Sequence, residues 1–240
     1  MKPVSHKIDH ELIDRKITER FRLKKKVNLI ISILIVILGI ATLYMAFGVE
    51  VGISSFRYLT INGTLFTTIG SFVFIAANIY ELTTGKEITN VPVYYIRLSC
   101  AVTETVIMLV ILIAFMMGDA SGLDKWNQVG THIVIPVLTV SSFVANDAPI
   151  GKVAPLKRLC CTIFITVYSI IIIALFGSGV LPMDMIPYAF IDWRVVPVWQ
   201  IICYAGIVYF IAFMIATVLY QLNKKLSWLW FRKLTAGEKQ

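Results

Sequence analysis

Apolar residues gather in six long runs, about 27–47, 59–81, 92–117, 127–145, 159–178 and 199–222, divided by shorter polar or proline-bearing connections. Each run is close to the ~20 residues that a helix rising 1.5 Å per residue needs to cross ~30 Å of hydrocarbon. A segment in lipid must be helical, because a helix satisfies its own backbone N–H and C=O groups. The pattern predicts an all-α membrane protein with six transmembrane helices. Residues 1–26 form a polar tail, 27–222 the bundle, and 223–240 a second tail.

The ends and connections have their own patterns. Between Asp9 and Arg22, Ile13, Ile17 and Phe21 recur at helical spacing, which fits an amphipathic helix on the membrane surface and also a solvated basic tail. The C-terminal tail sets Trp228, Trp230 and Phe231 beside Arg232 and Lys233, a mixture suited to the headgroup layer. The connection 179–198 carries Pro182, Pro187 and Pro197, several aromatics and little charge. It is too apolar for a free loop and is expected to fold back over the bundle as a cap.

Composition agrees with a membrane chain: 58% of residues are hydrophobic and the mean hydropathy is +0.81. The net charge of +8 would point to nucleic acid in a soluble protein. In a bilayer, Lys and Arg instead collect on the cytoplasmic side. With the N-terminus inside, that side receives nine basic residues from the N-tail, Lys86, Arg97, three from Lys152, Lys157 and Arg158, and five from the C-tail. Only Arg57, Lys125 and Arg194 of the 22 fall outside. Both termini are therefore expected to be cytoplasmic, in a multi-pass integral membrane protein that would occupy the inner membrane of a bacterium. The first apolar run is too long for a signal-peptide core. Cys100, Cys160, Cys161 and Cys203 lie in apolar runs and read as buried free thiols. His6 and His10 read as solvent-facing. No metal or cofactor is expected, the partners are the membrane and its lipids rather than nucleic acid, and oligomeric state has no signature.

Chemistry enters with the polar residues inside the runs. Thr60, Thr64, Thr67, Ser71 and Asn78 share one face of the second helix. For Thr64 through Ser71 the plain reading is a packing stripe with hydroxyls bonded back to the preceding turn. Thr60 differs because it lies at the outer mouth, within Phe56–Leu65. Its phase is about 40° from Thr64, whereas Asn62 points elsewhere. His132, the one histidine inside a run, lies roughly 8 Å below the outer end of the fourth helix. Pro136, four residues later, lacks an N–H and crowds the His132 carbonyl, which predicts a bend there. Imidazole is a base near neutral pH, and a threonine hydroxyl becomes a nucleophile once a base takes its proton. On spacing alone, His132 is either such a base or a hydrogen-bonded packing residue.

Glu104 sits in the middle of the third run between Thr103 and Thr105. A carboxyl at that depth costs about 2.5–3.5 kcal/mol on insertion scales. It reads as an interhelical clamp with a threonine or Asn78, or as part of a proton or ion path in a small transporter or channel. The first, fourth and fifth runs look apolar in their inner halves apart from Ser141, Ser142 and Asn146, which favours a closed pocket over a through-path. A non-catalytic membrane scaffold is the third reading.

Three motifs, Arg57-Tyr-Leu-Thr60 opening a helix, Asn127-x4-His132-x3-Pro136, and Pro187-Tyr-Ala-Phe-Ile-Asp192 between the last two runs, stand in register with the six runs. In this the chain resembles the androgen-induced-gene-one family, which includes the androgen-dependent regulator of tissue factor pathway inhibitor, and its bacterial "Pr-six-Pr" branch. It departs from the bacterial pattern where a Ser-Asn pair often follows the threonine; here Gly63-Thr64 stands. The resemblance implies an integral-membrane threonine hydrolase that cleaves fatty acid esters of hydroxy fatty acids. It makes Thr60 the nucleophile and His132 its partner, with a lipid or fatty-acyl ester as substrate. Asn127, Asp192, Tyr188 and Glu104 are the further candidates for orienting the pair or contacting substrate; Asp192 would either orient His132 from the cap or hold that loop.

Overall fold

The computed structural model describes residues 5–50, 52–86, 91–116, 123–146, 153–188 and 191–236, and every regular element among them is helical. Six helices are long and apolar enough to cross a membrane, as the hydropathy pattern requires of a multi-pass integral membrane protein. Helix α1 runs unbroken from Ser5 to Tyr44, so the expected tail and first span are one element. The remaining spans are α2 (Leu59–Thr84), α3 (Val91–Met116), α4 (Trp126–Ala145), α5 (Pro155–Gly177) and α6 (Val198–Ala236). The last one also continues past its expected end, through the C-terminal tail. Side chains of His6, His10, Trp230, Phe231, Arg232 and Lys233 lie outside the described residues, as do Ala189 and Phe190 of the third motif.

Helix α3 is the axis of the bundle and packs against α2, α4, α5 and α6. Leu98, Cys100, Ala101, Val102, Thr103 and Glu104 are fully enclosed. Small side chains allow this, since lipid offers no hydrophobic drive between helices and association depends on close packing. Ala212 and Ala216 of α6 are fully buried in the cluster formed with Leu98, Ala101 and Val102. At Gly63 of α2, a Cβ would collide with the Ile107 side chain and lie 3.1 Å from Thr103 Cγ2. Glycine there lets α3 approach. Cys100 and Cys161 are buried as expected, whereas Cys160 and Cys203 are exposed on surfaces that α5 and α6 turn outward. A thiol behaves as a small hydrophobe and is tolerated there.

The end of the bundle opposite the α2 N-terminus is more polar inside than its sequence implies. Lys25 of α1 meets Glu81 of α2 at 2.7 Å, both nearly enclosed. Asn28 accepts the Ser142 hydroxyl, which links α1 to α4. Asn223 of α6 bonds the Tyr94 hydroxyl at 3.2 Å and donates to the Phe143 carbonyl at 2.9 Å. Asn28 and Ser32 therefore overturn the expectation of an apolar inner half for the first span. Each is a single polar residue within a hydrophobic run, and only helix rotation turns it inward.

Removing one member of a buried ion pair leaves the other uncompensated, at a cost of about 3–5 kcal/mol, whereas replacing both by apolar groups is often neutral. Lys25→Met and Glu81→Met should each lower the melting temperature in detergent, and the double substitution should recover most of the loss. Additive losses in a double-mutant cycle would show that the pair is uncoupled.

Candidate active site

The short segment between α1 and α2 delivers Thr60. A π-helical turn, Met45–Glu50, ends the first span, and a 3-10 turn, Gly52–Arg57, leads into α2. The Ser55 hydroxyl donates to the Ala46 carbonyl at 3.1 Å and ties the two turns together. Tyr58, extended at φ −91° and ψ 132°, caps α2, so Thr60 stands in its first turn. Asn62 turns away from the site and donates to the Phe56 and Tyr58 carbonyls at 2.6 and 2.8 Å.

His132 lies in a π-helical turn, Gly130–Val134, closed by a bond from the Ile135 N–H to the Gly130 carbonyl. Pro136 follows directly. The proline supplies no N–H to the His132 carbonyl, and the chain accommodates it by widening the preceding turn. The bend predicted at this point takes the form of a π turn, and the imidazole projects from it.

The two motifs meet. Thr60 Oγ1 lies 3.2 Å from His132 Nε2. His132 Nδ1 lies 2.9 Å from the Gln128 carbonyl, one turn back on the same helix. A carbonyl only accepts, so Nδ1 carries the proton in the neutral ring and Nε2 presents a lone pair to the threonine hydroxyl. The Thr60 hydroxyl, the His132 ring and the Gln128 carbonyl thus stand in sequence, the carbonyl orienting the ring.

Around this pair is a cavity of about 600 Å³. Its walls are mainly aliphatic, with Val106, Ile107 and Val110 from α3, Ile165 and Ile172 from α5, and Val208 from α6. Thr60, Asn127, Gln128, His132, Tyr168 and Tyr188 form its polar patch. Helices α5 and α6 both line the cavity, yet they touch mainly through residues 155–162 of α5, and the stretch Ile163–Gly177 scarcely meets α6. Residues 202–207 of α6 are all exposed, a stretch longer than one helical turn. The cavity therefore sits behind a part of the bundle wall that is loosely closed toward the lipid.

The connection 179–198 does fold back as a cap. The Leu59 N–H donates to the Tyr188 hydroxyl at 3.0 Å, across the start of α2. Tyr188 and Tyr168 hydrogen-bond each other, and the Tyr168 hydroxyl donates to the Arg57 carbonyl. Burial pushes the Tyr188 phenol above its ordinary pKa, so it remains neutral and able to donate. Asp192 has a different role from the orienting one considered for it. Its carboxylate accepts from the Arg194 guanidinium at 2.7 and 2.9 Å and from the Arg194 N–H at 3.0 Å. The Arg194 hydrogen bond holds its carboxyl below the usual range, and the pair braces the cap. The His132 ring is held by Gln128 instead.

Asn127 is buried in the cavity wall. Glu104 does not line the cavity; it lies one turn beyond Ile107, fully enclosed. Asn78 does not clamp it either. The Arg97 guanidinium, two turns along α3 from Glu104, lies 4.4 Å from the centroid of the Phe74 ring, and Asn78 is a further turn along α2.

Three contributors escaped the sequence reading. The Gln128 carbonyl and the Tyr168 hydroxyl have no side-chain pattern that announces them. The third is the α2 N-terminus, where helix geometry leaves the Thr60 and Ile61 N–H groups without an acceptor in their own helix. A helix start directly before a candidate nucleophile was the available signal. Comparison with protein-family models, curated proteins and solved structures finds no match for this chain.

The tautomer can be measured. With His6 and His10 replaced by asparagine, ¹⁵N histidine spectra at neutral pH should show His132 protonated at Nδ1. An Nε2–H tautomer would remove its capacity to act as base toward Thr60. Tyr188→Phe should cost about 1 kcal/mol, the net value of one hydrogen bond, read as a lower melting temperature.

Proposed function

We propose that the protein is an intramembrane lipid-ester hydrolase with Thr60 as nucleophile and His132 as general base. The observation that carries this reading is the 3.2 Å contact between Thr60 Oγ1 and His132 Nε2 at one end of a largely apolar cavity. The distance is within reach for proton transfer between nucleophile and base. The resemblance of the three motifs to the androgen-induced-gene-one family supports the same assignment, as does the distribution of basic residues. That distribution favours cytoplasmic termini and a cavity in the outer half of the bilayer.

In the reaction, the Thr60 hydroxyl attacks the ester carbonyl carbon as its proton passes to His132 Nε2. The Nδ1–H bond to Gln128 steadies the imidazolium. The Thr60 and Ile61 N–H groups, at the positive end of the α2 dipole, are placed to receive the developing oxyanion. His132 then returns the proton to the departing alcohol oxygen as the ester C–O bond breaks, leaving an acyl-threonine. Water, deprotonated by His132, attacks that ester and releases the fatty acid and the Thr60 hydroxyl. The aliphatic walls accommodate an acyl chain, and the loose α5–α6 wall offers a route from lipid to the polar patch. A fatty acid ester of a hydroxy fatty acid fits these demands: two chains and one buried ester.

A fluorophosphonate probe should label the wild-type chain in membranes and fail on Thr60→Ala, while Thr60→Ser, which keeps a hydroxyl, should label. His132→Asn should slow labelling and ester hydrolysis by about 10²–10⁴-fold, the usual value of a positioned base. Equal labelling of wild type and Thr60→Ala would refute the nucleophile assignment.

A further inference from the structure

Most helical hydroxyls in this bundle bond back to the carbonyl three or four residues earlier, and Ser99 and Ser142 bond across to another helix instead. Ser32, Thr42, Thr68, Thr105, Thr131, Thr139 and Ser169 all bond back, at 2.7–3.1 Å. That bond is the ordinary way to satisfy a hydroxyl in a membrane helix. Thr64, Thr67 and Ser71 of α2 and Thr103 of α3 break the habit. Their hydroxyl oxygens are buried and close no hydrogen bond of normal geometry among the described residues, nor does either carboxylate oxygen of Glu104; the Thr67 hydroxyl approaches both the Cys100 thiol and the Glu104 carboxyl. All five residues are at most 1% exposed.

These groups share one interface. Gly63 of α2 faces Thr103 and Ile107, and Gly70 faces the Cys100 sulfur, which sets the register of α2 against α3. Between the two glycines, the Thr67 hydroxyl faces the Glu104 carboxyl without closing a hydrogen bond of normal geometry. Thr64 and Ser71 lie about 4.5 and 6 Å along the helix on either side of Thr67, separations that one water bridges. Arg97, the one basic residue of α3, is seven residues from Glu104 and is stacked on Phe74.

We propose that Glu104 and Thr67 bind a hydrated monovalent cation, Na⁺, at the centre of the bundle, with Thr64, Ser71 and Thr103 holding its water shell. Carboxylate, hydroxyl and water oxygens are hard ligands suited to hard cations, and a single carboxylate balances a single positive charge. A proton on Glu104 would neutralise the carboxyl and let it bond the Thr67 hydroxyl, but it would leave Thr64, Ser71 and Thr103 unmatched. A cation with its water supplies partners to all of them. The site lies one turn beyond Ile107 and two beyond Thr60, outside the cavity lining. It stands on different residues from the Thr60–His132 pair and does not depend on the hydrolase reading.

The test is the melting temperature of the full chain in detergent, read by tryptophan fluorescence, as NaCl replaces choline chloride at constant ionic strength. The wild type should show a saturable rise of about 3 °C or more, as mass action predicts for a site filled well above its Kd. Glu104→Gln, which keeps the side-chain shape and removes the charge, should abolish the rise. Thr67→Val should shift the half-saturating Na⁺ concentration upward by about tenfold and leave fluorophosphonate labelling of Thr60 unchanged. If Glu104→Gln does not fold, Thr67→Val and Thr103→Val provide the reading. A wild-type melting temperature identical in Na⁺ and choline overturns the proposal, as does a Na⁺ response that survives Glu104→Gln or is undiminished in Thr67→Val and Thr103→Val.

Discussion

Lipid offers no hydrogen bonds, and that constraint sets the rotation of every helix in this bundle. Helix α2 feels it most. Thr60, Thr64, Thr67, Ser71 and Asn78 lie along one face, and a polar stripe in hydrocarbon must turn toward other helices. Turning it inward buries Thr64 through Asn78 and aims Thr60, on the same face, into the cavity. The glycines at 63 and 70 then let α3 close over the stripe. The direction of the candidate nucleophile is thus a consequence of shielding the residues behind it.

The partner arrives by a different route. His132 is aimed by a local backbone irregularity, the π turn that accommodates Pro136. The same turn returns the imidazole to its own helix, where the Gln128 carbonyl selects the tautomer. A backbone acceptor suits a membrane site, because a carboxylate in that place would carry a charge needing its own compensation. The acidic residue nearest in the motif pattern, Asp192, is placed in the cap and neutralised by Arg194, where it braces that segment. The cap in turn reaches the site through Tyr188, whose hydroxyl satisfies the Leu59 N–H at the start of α2.

Polarity is distributed through this bundle in three levels, each handled differently. At the α2 N-terminus the polar groups line a cavity. At the opposite end they are closed into direct pairs, Lys25 with Glu81, Asn28 with Ser142 and Asn223 with Tyr94. In the middle, Glu104 and its hydroxyls face one another with no protein bonds closed among the described residues. A carboxyl left in that state inside a membrane protein calls for a partner of opposite charge or for a proton.

The sequence alone determined the six spans, because apolar length is a one-dimensional property and lipid permits only the helix. It also singled out Thr60 and His132, since a lone histidine in a span and a threonine at a helix start are visible in the chain. What it left open was whether they meet. Contact depends on the rotation of α2 and on the π turn in α4, and both arise from packing against α1 and α3 rather than from local preference. The roles of Gln128, Asp192 and Asn28 were hidden for the same reason. A carbonyl has no side-chain signature, an aspartate pairs with whichever cation the cap brings near, and an asparagine in an apolar run is clamp or liability according to the face it occupies. Depth along each helix is written in the sequence; azimuth around it is decided only when the helices pack.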